Sequence, residues 1–132
     1  MHSLTHRWPT LVALALAGLT FVDGMPAPAF LAGVLVTMPL FYLLFGALRG
    51  ELRPGRVLAV QLAALAGFAA VALLAVTVAG ALGLLVLAAG WLGHAGWDAV
   101  HHLRARVVPR AWSEWCGVFD ACGALALVLA AL

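Results

Sequence analysis

The sequence predicts an all-α integral membrane protein: a single transmembrane helical domain over residues 1–132, built as a bundle of five transmembrane helices, or four if the first segment is a cleaved signal. Three observations carry this. Hydrophobic residues make up 66% of the chain and charged residues 9%, with a mean hydropathy of +1.13. A soluble domain is roughly half apolar and about a quarter charged, so this composition cannot build a water-facing surface. It is equally unlike a disordered chain, which needs low hydropathy and high charge. The apolar runs match spans of ~20 residues, and all seven arginines fall between or beside them.

Segment one covers residues 8–22 and opens with Pro9, where a helix tolerates proline. Arg7, an apolar run and Ala27-Pro28-Ala29 also resemble a signal peptide with its cleavage site; the segment is read here as a retained helix. Residues 23–28 form a turn. Segment two runs over residues 29–48, and the loop from Arg49 to Arg56 follows with Gly50, Pro54 and Gly55 as helix breakers. The apolar stretch from Val57 to His102 is about twice the length of one span and must fold back. Thr77-Val78-Ala79-Gly80 is the best breaker in it, giving segments three and four over residues 57–77 and 81–103. After the Arg104–Arg110 loop, segment five takes residues 111–132.

The arginines test the count. Arg7, then Arg49, Arg53 and Arg56, then Arg104, Arg106 and Arg110 all fall on one side of a five-span arrangement, and the first and third connections carry no basic residue. The positive-inside rule then places the N-terminus in the cytoplasm and the C-terminus outside. Arginine without any lysine points to a GC-rich bacterial genome, hence the inner membrane of a bacterium. A net charge of +2 with no basic stripe gives no footprint for nucleic acid. Cys116 and Cys122 lie six apart on one helix and point to different sides, so they are not expected to pair, and neither belongs to a C-x-x-C motif.

Trp8, Trp112 and Trp115 sit near segment ends, where indoles prefer the membrane interface. Trp91 and Trp97 are deeper and read as packing residues, with a substrate-lining role as the alternative. Gly83, Gly90, Gly93 and Gly96 on segment four, with Gly117, Ala121 and Ala124 on segment five, suit close helix packing. Asp23, Glu51 and Glu114 lie in loops or at a helix start, where acids are ordinary. His2 and His6 belong to the N-terminal tail.

The chemistry-bearing stretch is Gly93-His94-Ala95-Gly96-Trp97-Asp98-Ala99-Val100-His101-His102. At about 100° per residue, His94, Asp98 and His101 share an arc of ~60°, with His102 ~40° further on. Segment five answers with Ser113, Cys116 and Asp120 on one face. Matching depth from the connecting loop sets Ser113 against His101, Cys116 against Asp98 and Asp120 against His94. An aspartate at mid-membrane costs about 2.5–3.5 kcal/mol even on the mild insertion scale. One cation would offset both acids and order the imidazoles. Imidazole and carboxylate suit zinc or iron, so His94, Asp98, His101, His102 and Asp120 are the candidate metal ligands. Asp98, Asp120 and Cys116 are the candidate catalytic residues. The simpler alternative is an Asp–His hydrogen-bonded staple, with His101 and His102 solvated near the interface and Cys116 a small hydrophobe. A single haem cannot take both axial ligands from this one helix.

His94, Trp97, Asp98, His101 and His102, followed by Pro109, Cys116 and Asp120, resemble an uncharacterised family of small bacterial integral-membrane proteins with an H-x-x-W-D-x-x-H-H signature. The resemblance spans roughly the last forty residues. It implies that these positions act as a unit and supplies no activity. Asp98-x-x-His101-His102 echoes one His box of the membrane di-iron hydroxylases and desaturases, whose other boxes this chain lacks.

Three functions follow as expectations. The first is a membrane metalloenzyme, a hydrolase or oxidoreductase using zinc or iron on a lipid-like substrate, in contact with membrane lipid and able to complete its site as a homodimer. The second is a structural or accessory subunit with a buried Asp–His network. The third is a transporter component for a metal ion or proton, for which segments two and three offer only Thr37, Tyr42, Gln61 and Thr77.

Overall fold

The computed structural model describes residues 6–78 and 80–132; His2 and Ala79 lie outside them. They form five helices in chain order: α1 (Trp8–Phe21), α2 (Pro28–Leu48), α3 (Arg56–Val78), α4 (Gly80–Arg104) and α5 (Arg110–Ala131). No strand occurs among the described residues. The last four helices are each long and apolar enough to cross a membrane. The first is apolar but has 14 residues, about 21 Å at 1.5 Å per residue, which is short of a ~30 Å hydrocarbon layer.

Helix starts follow the prolines. Pro9 occupies the first turn of α1 and Pro28 that of α2, where the missing N–H is not needed. Between α3 and α4 the chain reverses at Gly80, which takes φ +61°, a left-handed conformation that glycine adopts without a steric penalty. Pro39 lies inside α2 and is buried; it withholds one backbone hydrogen bond one turn before Tyr42.

The packing is broadest between α4 and α5, with α4 also against α3 and α2 and with α1 laid on the outside of α5. Leucine and small residues fill the centre: Leu31 and Leu35 from α2, Ala72 and Ala75 from α3, Leu87 and Trp91 from α4, Leu127 from α5. Trp91 is fully buried, and its indole N–H donates to the Leu31 carbonyl at 3.2 Å, so it packs as the sequence suggested and also ties α4 to α2. The close approach of α5 to this ring is made at Gly123, where a Cβ would fall 2.3 Å from the indole. Gly96, by contrast, faces open space and Ala121 is exposed, so those two take no part in the tight packing expected of them.

The outer surface is apolar too, with Leu19, Leu73, Leu92 and Leu129 all more than 60% exposed. Thr20, Thr37 and Thr77 return their hydroxyls to carbonyls of their own helices, which satisfies them without solvent.

The arginine-bearing segments meet at one end of the bundle. Glu51, in the α2–α3 loop, accepts the Val107 N–H of the α4–α5 loop at 2.8 Å and ion-pairs with Arg49 at 3.1 Å and Arg106 at 3.7 Å. Arg7 lines a cavity at this end with His102 and Glu114. Glu51 is therefore a clamp between two loops, more than the ordinary loop acid the sequence suggested. Glu114 likewise accepts a bond from Thr10 and fastens α1 to α5.

Candidate functional site

The polar face of α4 is turned inward. His94 and Asp98, one helical turn apart, are both wholly buried, and His101 is 7% exposed. Facing them on α5, Ser113, Cys116 and Asp120 are buried as well. The sequence produces this by spacing: positions i, i+4 and i+7 stack on one side of a helix, and small residues beside them admit the neighbouring helix. Gly117 is the nearest of these, since a Cβ there would stand 3.2 Å from that of Asp98.

At the centre, His94 Nδ1–H donates to Asp120 Oδ2 at 2.7 Å and lies 3.2 Å from Asp98 Oδ2. The other oxygen of Asp98 accepts the Tyr42 hydroxyl from α2. Three helices are thus joined through four buried side chains. The donors are few for two carboxylates: one ring N–H shared between two oxygens, and one phenol. Asp120 Oδ1 and His94 Nε2 are buried with no hydrogen-bond partner among the described residues. Each of His94, Asp98 and Asp120 offers a ligand atom, all within 4.8 Å of one another, so these three could hold a metal ion. One imidazole and two carboxylates are a donor set that suits zinc or non-haem iron.

The structure separates the other expected ligands from this group. His101 donates Nδ1–H to the Trp97 carbonyl at 2.9 Å and takes Gln61 Nε2 on its Nε2 at 3.0 Å. His102 turns Nδ1 to the Arg110 carbonyl at 3.2 Å, with Ser113 Oγ at 3.5 Å from the same nitrogen. Ser113 therefore meets His102, where depth matching had set it against His101. Cys116 is 2% exposed and lines an apolar cavity of about 290 Å³ between α2 and α5, with Met38, Phe41, Trp112 and Trp115 around it. It is a free thiol outside the three-residue group.

Tyr42 and Gln61 complete the network, and neither was singled out as a site residue from sequence. The only signal for them was compositional, because they are two of the four uncharged polar residues that the sequence offers on α2 and α3. The other two, Thr37 and Thr77, spend their hydroxyls on their own backbone. The Tyr42 ring also meets those of His94 and His101 edge-on, at centroid distances of 5.7 and 4.8 Å.

No family model matches the chain, and no curated protein or solved structure is significantly similar to it.

Proposed function

We propose that the protein is an integral-membrane metal-binding protein whose centre is His94, Asp98 and Asp120, and that it is a metal-dependent enzyme acting on a lipid-like substrate. The observation that carries this reading is the convergence of two fully buried carboxylates on one imidazole nitrogen. Two charges in a dry interior need compensation worth several kcal/mol each, and one divalent cation would offset both. Zinc or iron bound there would supply Lewis acidity or an activated water. Tyr42 would hold Asp98 in place, as outer partners do for metal ligands. Membrane placement follows the arginines: the end carrying the Glu51 clamp is cytoplasmic, the N-terminus lies on that side and the C-terminus on the other, in the inner membrane of a bacterium.

A second reading has its own support. The chain Tyr42–Asp98–His94–Asp120 is made of direct bonds that cross α2, α4 and α5, which is what a purely structural staple requires. Thermal unfolding in detergent separates the two. For a metal centre, chelation lowers the Tm, zinc or iron(II) restores it, and Asp98→Asn abolishes the response, because a ligand that binds only the folded state stabilises it by mass action. For a staple, the Tm ignores chelator and metal alike.

A further inference from the structure

Outside the carboxylate centre, a cavity of about 500 Å³ opens between α3 and α4 at the arginine-bearing end of the bundle. Arg56, Arg104 and Arg106 stand on its wall, and Gln61 and His101, 3% and 7% exposed, lie deeper in it. Its remaining lining is apolar and includes Val60 and Val100, each 42% exposed. Trp97, whose indole N–H has no partner among the described residues, lines the same space.

We propose that this cavity seats the anionic, phosphate-bearing headgroup of a membrane lipid, with its hydrocarbon running along Val60 and Val100. The charge argument is specific. The one acid at this end beside the cavity, Glu51, is engaged by Arg49, Arg106 and the Val107 N–H. Arg56 and Arg104 have no carboxylate within 4.0 Å among the described residues. Guanidinium groups present forked donors that match phosphate oxygens, and basic recesses between spanning helices are where anionic headgroups lodge. The apolar argument selects a lipid over free phosphate. α3 and α4 are both long enough to cross a membrane, and the exposed valines carry the cavity from its charged rim onto their hydrocarbon-facing sides.

The inference rests on the lipid-directed part of the proposed function and uses none of the three metal-site residues. It also places the headgroup close to that centre. His101 in the cavity wall packs its ring against Tyr42, and Tyr42 bonds Asp98.

Native mass spectrometry of the full chain in detergent tests it, with dioleoyl phosphatidic acid, dioleoyl phosphatidylcholine and inorganic phosphate as probes. The expected result is one retained phosphatidic acid, bound at least tenfold more tightly than phosphatidylcholine. Arg56→Gln with Arg104→Gln should weaken it tenfold or more. Arg7→Gln with Arg110→Gln, an equal loss of charge away from the cavity, should change it less than twofold. Equal loss in both double variants, or no preference over phosphatidylcholine, would overturn the proposal. Displacement of phosphatidic acid by an equal concentration of inorganic phosphate would overturn the lipid assignment in favour of a soluble phosphate. Circular dichroism and metal content of the Arg56/Arg104 double variant should match the wild type, so a failure of the metal reading and a failure of this one give different results.

Discussion

The His94 imidazole meets the Asp120 carboxylate at 2.7 Å across the α4–α5 contact, and both side chains are completely buried. Removing one member of such a pair leaves the other charged or polar group stranded without water, which costs about 3–5 kcal/mol. Asp120→Ala should therefore lower unfolding stability by about 3 kcal/mol or more. Adding His94→Ala to it should cost much less than His94→Ala alone. A double-mutant cycle measured by chemical unfolding in detergent gives the coupling directly. Strictly additive losses would show that the two residues act separately.

Tyr42→Phe removes only the hydroxyl that Asp98 accepts. The ring still fills its place, so the loss isolates one hydrogen bond to a buried carboxylate. Such an unmade bond costs about 1–3 kcal/mol, read as a lower Tm. An unchanged Tm would mean that Asp98 finds another donor.

Gly123→Ala would drive a methyl to 2.3 Å from the Trp91 ring. The ring cannot retreat freely, because its N–H is held by the Leu31 carbonyl. Overpacking of this kind costs about 1–3 kcal/mol. Gly96→Ala meets open space and should be neutral or slightly stabilising, since alanine is the better helix former by about 1 kcal/mol. The pair of melts checks both statements.

Ala105 and Val107 both hold positive φ, at 50° and 70°. Ala105 is exposed, so Ala105→Gly should relieve strain without losing packing and raise stability by about 1 kcal/mol. Val107 is 3% exposed, and its N–H is the one Glu51 accepts. That bond, foremost, with Arg49 and Arg106 behind it, holds the Glu51 carboxyl below its ordinary value of 4.5. A lowered carboxyl pKa contributes stability above the unfolded value and loses it as pH falls through the folded one. Wild type should thus lose Tm relative to Glu51→Gln as pH drops below about 4.5, while above it wild type should be the more stable of the two. A constant difference across that range would remove Glu51 as the source.

Helix number and the all-helical class were legible because composition and run length are global signals: four long apolar runs, one short run and the breakers at Gly50-to-Gly55 and Gly80 leave few alternatives. The pairing of His94 with Asp120 was legible too, since depth along two antiparallel helices joined by a short loop is arithmetic. The partners of His101 and His102 were not. At ~100° apart on a helix these neighbours cannot share one target, and which of them reaches Gln61 or the Arg110 carbonyl depends on how α3 and α5 flank α4. Tyr42 was hidden for a similar reason. A lone tyrosine in an apolar run carries no periodic signal, and only the packing of α2 against α4 brings its hydroxyl to Asp98.

The most direct measurement is elemental analysis of detergent-purified wild type beside His94→Ala, Asp98→Ala and His102→Ala. The predicted result is about one equivalent of zinc or iron in wild type and in His102→Ala, lost in the other two, as expected when a ligand of a three-residue site is removed. Folded wild-type protein that carries no metal, even after reconstitution with zinc and iron(II), would contradict the metal centre and leave the four buried side chains as a helix staple.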